Sequence, residues 1–248
     1  MTDKAPSRLS YLAARFVHSW AGWVVIGISV YVLGTYLTSV LFFILSQLGL
    51  LSNVDSTTVA LIVRVVMYAS LIILMMVVPR WLRQRVSPNS MGLSRLMTWK
   101  DIAVGVAGVI LYILIAMGVL ALARLIPGIN LTQTQELDVG QVFGVSKMIA
   151  FVTLVIVTPF AEELLFRGLL YGGLRTRKLP VWASALVVSV LFGLAHGQLN
   201  VGIDVFCLSL VACYARELTG SIWAGVVMHM IKNFIAFAIV FVVNQGLS

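Results

Sequence analysis

Residues 158–171 read TPFAEELLFRGLLY and place two adjacent carboxylates and an arginine inside an otherwise apolar run. A charged side chain near the centre of a bilayer costs roughly 2.5 to 3.5 kcal/mol on insertion scales, so charges at this depth indicate a functional site. Glu163 and Arg167 are four residues apart, so they lie on one helical face and can pair. Glu162 points about 100° away from Glu163 and is less neutralised by the arginine. The pattern predicts Glu162 as a general base supported by Glu163 and Arg167.

The composition of the chain predicts a membrane protein. Of its 248 residues, 60% are apolar and only 10% are charged, which excludes an ordinary soluble domain. Apolar stretches of spanning length recur, with no large polar segment between them. We expect one membrane-embedded domain, residues 1–248, with an all-α polytopic fold. The pattern predicts a bundle of about seven transmembrane helices and is compatible with six to eight. The predicted spans are Trp20–Leu51, Thr57–Val78, Ile102–Ile126, Met148–Tyr171, Val181–His196, Val201–Tyr214 and Ser221–Val243.

The net charge of +8 follows from the orientation of these spans. With a cytoplasmic N-terminus, twelve of the seventeen lysines and arginines fall in inner segments, and the outer segments hold only Lys147. Such a bias is an orientation signal, so we expect membrane lipids and no nucleic acid as partners. Of the basic residues inside spans, Arg64 and Arg124 lie near enough to the outer ends to reach the interface.

Two local features of the spans carry further expectations. Pro159, three residues before Glu162, removes a backbone hydrogen bond, so we expect it to bend the helix and open a wet pocket. The sixth span, about fourteen residues long, is short for crossing lipid, and we expect neighbouring helices to shield it.

Two other spans carry histidines at helical spacing from a second notable residue. The sequence FGLAHG places Phe192 and His196 four apart, and HMIKN does the same for His229 and Asn233. At 1.5 Å per residue, the depths from the inner ends are about 15 Å for Glu162, 12 Å for His229, 18 Å for Asn233 and 22 Å for His196. All lie in the middle of a core about 30 Å thick, so we expect them to meet. A carboxylate and an imidazole that hold a water, with further donors for an oxyanion, predict hydrolysis.

The segments EELLFR, FGLAH and HMIKN, in this order, resemble the motifs EExxxR, FxxxH and HxxxN of the CAAX-protease and bacteriocin-processing family (CPBP or Abi) of intramembrane endopeptidases. They lie in a core of approximately residues 148–243. The resemblance implies a membrane peptidase whose cavity opens toward the cytosol or the lipid. Members of this family have been described both as metalloproteases and as glutamate peptidases, and we favour the glutamate type. Its substrate would be a membrane-associated or prenylated (CAAX-type) protein or a bacteriocin-like peptide. The short chain and compact loops resemble prokaryotic members, which implies the prokaryotic plasma membrane.

The resemblance also implies a role for each matching position. The assignments are water activation by Glu162 with His196, an oxyanion site of His229 and Asn233, and support from Glu163 and Arg167.

Several alternatives stay open on the sequence. Glu162, His196 and His229 supply the ligand types of a zinc site, although no HExxH pattern is present and no cofactor is favoured. The glutamates are structural if the protein is a non-catalytic bacteriocin-immunity or membrane scaffold protein. A proton-coupled transporter also buries Glu and His, but no repeat supports that function.

Overall fold

The structure, a computed structural model, describes residues 15–127, 131 and 145–239. These residues form seven apolar helices and, over the same ranges, no strand. The helices are α1 (Trp20–Gln47), α2 (Ser56–Trp81), α3 (Trp99–Ala123), α4 (Lys147–Thr176), α5 (Val181–Leu194), α6 (Leu199–Thr219) and α7 (Trp223–Ala238).

The lengths and compositions of the helices confirm the prediction of an all-α polytopic membrane protein. Five of them, α1 to α4 and α6, are long and apolar enough to cross a membrane, while α5 and α7 are shorter apolar helices. The most apolar windows of α1, α2 and α3 are 17% to 28% buried, whereas that of α4 is 56% buried. The first three helices therefore present wide apolar faces to lipid, and α4 lies inside the bundle.

The predicted length of the sixth span was wrong. Its helix, α6, runs from Leu199 to Thr219 and has 21 residues instead of about fourteen. The sequence pattern stopped at the charged residues Arg216 and Glu217, but the structure gives both of them partners. Arg216 donates to backbone carbonyls, and Glu217 accepts from Tyr171 and Arg175. Because these charges are hydrogen-bonded, the helix continues through them.

Other span boundaries differ by smaller amounts. The first helix ends at Gln47 rather than Leu51. The fifth ends at Leu194, so His196 lies in the turn after the helix and not on it. The last part of the predicted seventh span, residues 240–243, lies outside the described residues.

The central helix α4 is irregular along its length. It contains two π-helical stretches, Val152–Val157 and Leu164–Tyr171, separated by the α-helical turn Thr158–Glu163. It packs against α1, α2, α5, α6 and α7. Isolated π-turns inside helices are frequent at functional sites. Directly before Pro159 the helix is π-helical, and the bend that the sequence predicts at this proline stays a prediction.

Side chains from neighbouring helices donate hydrogen bonds to backbone carbonyls of the second π-helical stretch. The Trp23 indole Nε1 of α1 donates to the Leu169 carbonyl over 2.9 Å. The Arg216 Nε of α6 donates to the Arg167 carbonyl over 2.7 Å. These bonds tie α1 and α6 to the helix that carries the two glutamates.

The starts of α2 and α3 are capped by acidic side chains. Asp55 accepts a hydrogen bond from the Thr58 amide over 2.9 Å, and the pKa of Asp55 is lowered by hydrogen bonding to the Thr58 side chain and then to this amide. At α3, the Thr98 amide donates to Asp101 over 2.8 Å, in a capping box.

The packing of α1 on α4 predicts a position-specific effect of alanine. In Gly173→Ala the new methyl group overlaps the Trp23 indole, whereas Gly118 on α3 has nothing within 4 Å of the same position. We expect Gly173→Ala to lower the free energy of unfolding by about 1 to 3 kcal/mol. Gly118→Ala should be neutral or stabilising by up to about 1 kcal/mol. Thermal unfolding of both variants in detergent measures the difference, and equal midpoints would contradict the close approach of α1 and α4.

Candidate active site

One cavity of about 530 Å³ contains all four predicted catalytic side chains. Its walls come from α1, α2, α4, α7 and the end of α5. The predicted residues among its lining are Glu162, His196, His229 and Asn233. The structure therefore brings together residues from three separate parts of the chain, while their chemical roles stay predictions.

The two supporting residues form a fully buried ion pair behind this cavity. Arg167 Nη1 lies 2.9 Å from Glu163 Oε1, and both side chains are 0% exposed. The N–H groups do not point along the line to the oxygen, so the contact is an ion pair without a well-aligned hydrogen bond. Gly225 on α7 leaves the space that the Glu163 carboxylate occupies. Breaking a buried pair by removing one partner costs about 3 to 5 kcal/mol, which makes this pair a fixed support.

Glu162 faces the cavity with two differently placed oxygens. Its Oε1 accepts a hydrogen bond of 2.7 Å from the hydroxyl of Tyr68 on α2. Its Oε2 lies 3.7 Å from His229 Nε2. The side chain is 17% exposed, in contrast to its fully buried neighbour Glu163. One oxygen is thus held in place, and the other is directed toward the histidine.

His229 lies between the two carboxylates. Its Nδ1 is 3.4 Å from Glu163 Oε1, on the far side of the ring from the Nε2 that faces Glu162. The side chain is 2% exposed. Each ring nitrogen of His229 thus faces one carboxylate, with no hydrogen bond formed to either of them.

His196 has one ring nitrogen committed to the backbone. Its Nδ1 lies 2.8 Å from the carbonyl oxygen of Phe192. A carbonyl only accepts, so Nδ1 carries the hydrogen and the Nε2 of the neutral ring is an acceptor. This bond fixes the orientation of a ring that lies beyond the end of α5. The result is the form of imidazole that can receive a hydrogen bond from water.

Phe192 connects the parts of the site. Its fully buried ring packs edge-on against His196 and His229, with centroids 4.9 and 5.8 Å apart. The Arg167 guanidinium lies 4.7 Å from the same ring centroid. A phenylalanine four residues before the histidine therefore has a structural role, because it separates both imidazoles from the buried arginine.

Asn233 fills a gap that Pro159 leaves in α4. The Thr158 amide donates to the Thr153 carbonyl, five residues back, which is the π-helical register. The next donor in that register would be residue 159 to Leu154, but proline has no N–H group. The Asn233 amide Nδ2 donates to the Leu154 carbonyl instead, over 2.9 Å. This bond takes one amide hydrogen of Asn233, and the second stays available to the cavity.

Sequence analysis missed Tyr68, which contacts the predicted base directly. The residue is 4% exposed and lies on α2, far from the three motifs in the chain. The only signal in the sequence is a hydroxyl in the middle of an apolar span, and buried tyrosine hydroxyls usually find a partner. That signal does not say which partner.

The zinc alternative needs a set of ligands converging on one point. Glu162, His196 and His229 line the same cavity, yet across residues 15–127, 131 and 145–239 no three His, Cys, Asp or Glu side chains are grouped to hold a metal ion.

A known protein family matches the region of the chain that carries the three motifs. Residues 144–235 match the model of the Rce1-like family, described as type II CAAX prenyl endopeptidase Rce1-like. This segment is therefore similar to the CAAX-protease family. The match confirms the resemblance drawn from the three motifs. The match does not include α1, α2 or α3, so Tyr68 lies outside the matched region.

A curated relative is similar over a shorter stretch. An Escherichia coli protein described as an uncharacterized 24.3 kDa protein is 33% identical over 87 residues, which cover 34% of this chain. The matched stretch covers 40% of the length of that relative. No solved structure matches the chain.

The bond between Asn233 and α4 predicts a thermodynamic coupling with Pro159. Asn233→Ala leaves the Leu154 carbonyl without its donor and should lower stability by about 1 kcal/mol. In Pro159→Ala the restored backbone N–H can reach that carbonyl, so Asn233→Ala should then cost less. A double-mutant cycle by thermal unfolding should give a coupling of about 1 kcal/mol. Strictly additive effects would contradict this explanation.

The hydrogen bond to Glu162 predicts a catalytic effect of Tyr68→Phe. A hydrogen bond to a charged group is worth about 1.5 to 3 kcal/mol, so the loss of orientation should lower kcat at least about tenfold. Tyr171→Phe is a matched control, because the Tyr171 hydroxyl also donates to a glutamate, Glu217, over 2.9 Å and away from the cavity. Steady-state kinetics of the two variants provides the comparison. Similar kcat values for both would show that Tyr68 does not position the base.

Proposed function

We propose that the protein is an intramembrane endopeptidase that uses water to hydrolyse a peptide bond of a membrane-associated or lipidated protein. The observation that carries the proposal is the cavity that Glu162, His196, His229 and Asn233 share, among helices of which five of those described are long and apolar enough to cross a membrane. The family description favours a prenylated CAAX-type substrate, with a bacteriocin-like peptide as the second class.

The first step of the proposed reaction is activation of a water. The water lies between Glu162 Oε2 and the accepting Nε2 of His196, while Tyr68 holds the other glutamate oxygen. Glu162 takes one proton, and the hydroxide attacks the carbonyl carbon of the substrate. A base positioned in this way contributes about 10² to 10⁴ to the rate.

The second step stabilises and resolves the tetrahedral intermediate. Its oxyanion accepts hydrogen bonds from His229 Nε2–H and from the remaining amide hydrogen of Asn233. Glu162 then returns its proton to the amide nitrogen, the C–N bond breaks, and an amine and a carboxylic acid leave. Throughout the reaction, the buried pair of Glu163 and Arg167 holds the Glu162 carboxylate and the His229 ring in place.

The excess of basic residues in the predicted inner segments supports a cytoplasmic N-terminus. We place the protein in a prokaryotic plasma membrane, with a cavity open toward the cytosol or the lipid.

Proteolysis in liposomes tests the proposed function. Wild type is incubated with short membrane-tethered peptides, with and without a prenyl group, beside Glu162→Gln and His196→Ala. We expect each variant to lose at least about 100-fold in rate while thermal stability is retained. The matched controls are Glu217→Gln, at the Tyr171 and Arg175 contact, and His18→Ala, whose ring lies near Gln84 outside the cavity. Both controls should cleave at the wild-type rate.

The same experiment identifies a non-catalytic protein. If wild type cuts no peptide but binds one, and Glu162→Gln weakens that binding, the cavity belongs to an immunity or scaffold protein. Equal losses in the controls and in the site variants would also contradict the assigned roles.

A further inference from the structure

Arg64 lines the candidate cavity from α2, a helix that carries none of the three motifs. It is on α2, four residues before Tyr68, so the two side chains share one face of that helix. It lies eight residues past the start of α2, about 12 Å along the helix axis. The sequence predicted that this arginine reaches the outer interface, whereas the structure includes it in the lining of the cavity.

Other basic residues inside the bundle have defined acceptors. Arg167 pairs with Glu163, and Lys232, the other basic residue of the cavity, lies 3.6 Å from Asp204. Arg216 donates to two backbone carbonyls. Arg64, by contrast, makes no ion pair and no side-chain hydrogen bond with the residues that the structure describes, 15–127, 131 and 145–239. Its donors are therefore not used within the described part of the chain.

A guanidinium in such a place is suited to an anion that enters the cavity. Ionisable side chains inside membrane spans mark substrate or ion pathways because their burial is costly. The planar fork of arginine matches a carboxylate or phosphate through two parallel hydrogen bonds. The cavity carboxylate, Glu162, is already bonded to Tyr68 and faces His229. An incoming anion can therefore pair with Arg64 without displacing the base from its partners.

We propose that Arg64 is a subsite for a carboxylate of the substrate peptide. The proposal rests on the proposed peptidase function and adds a substrate class, peptides with an anionic group on one side of the cleaved bond. Along α2, Arg64 is one turn, about 6 Å, from the residue that contacts Glu162. An extended peptide covers this distance in about two residues, so the carboxylate lies close to the scissile bond.

A set of matched peptides tests the subsite. Three membrane-tethered peptides share one sequence and carry a C-terminal carboxylate, a C-terminal amide, or an amide with a glutamate side chain at the last position. Wild type, Arg64→Gln and Arg124→Gln are compared in liposomes of neutral lipid. Arg124 is the matched control, since it lines a different pocket, beside Asp204 and Lys232.

We expect wild type to prefer at least one of the two peptides with a carboxylate over the plain amide, by at least tenfold in KM. Arg64→Gln should remove this preference while kcat changes little, and Arg124→Gln should retain it. A loss of the same size for all three peptides would overturn the proposal, because Arg64 would then act on the structure of the site. Equal KM values of wild type for all three peptides would also overturn it.

A lipid phosphate has the same anionic chemistry, and a second set of vesicles separates the two sources. Anionic phosphatidylglycerol is added to the neutral liposomes. If the effect of Arg64→Gln depends on this lipid and not on the peptide carboxylate, Arg64 binds a headgroup and the substrate subsite is wrong.

A binding measurement tests the subsite even if the protein proves not to be a peptidase. If wild type cleaves none of the peptides, peptide binding to wild type and Arg64→Gln is measured by fluorescence. A carboxylate preference in binding that Arg64→Gln abolishes supports the subsite even without catalysis. Equal binding of acid and amide peptides by wild type overturns it.

Discussion

The buried ion pair of Glu163 and Arg167 is the constraint on which the site depends. Both side chains are fully buried within a helix that packs against five others, so neither charge can turn toward water. Any rearrangement that separates them leaves an unpaired charge in the bundle, at a cost of several kcal/mol. The pair therefore fixes the rotation of α4, and that rotation directs Glu162 toward the cavity. It also fixes His229, whose Nδ1 faces the Glu163 carboxylate.

The backbone of α4 provides a second set of links. Its π-helical geometry and its proline alter the regular hydrogen-bond register, and three side chains from other helices donate to its carbonyls. These donors are Trp23 from α1, Arg216 from α6 and Asn233 from α7. The bonds from Trp23 and Arg216 tie α1 and α6 to the helix that carries Glu162, and the bond from Asn233 ties α7 to the same helix. Asn233 thus makes a structural bond to α4, and the proposed mechanism uses its second amide hydrogen for the oxyanion.

The site also extends beyond the region that the family match covers. The match begins at residue 144, whereas Tyr68 and Arg64 lie on α2. Tyr68 holds one oxygen of Glu162, and Arg64 lines the same cavity. The helices before the match therefore contribute to the cavity and do not only anchor the chain in lipid. Under the proposed function, differences in these helices would change the substrate while the three motifs stay the same.

The sequence by itself determined the membrane class, the approximate position of each helix and the ion pair of Glu163 with Arg167. Hydrophobic length and four-residue spacing are local properties, and for this reason they can be read along a single chain. The motifs also determined which side chains meet in the cavity. Only the tertiary structure decided the length of α6, the turn position of His196, the partner of Asn233 and the contact of Tyr68 with Glu162. Each of these depends on a carbonyl or a charge from a distant part of the chain, and periodicity contains no information about which distant groups come into contact.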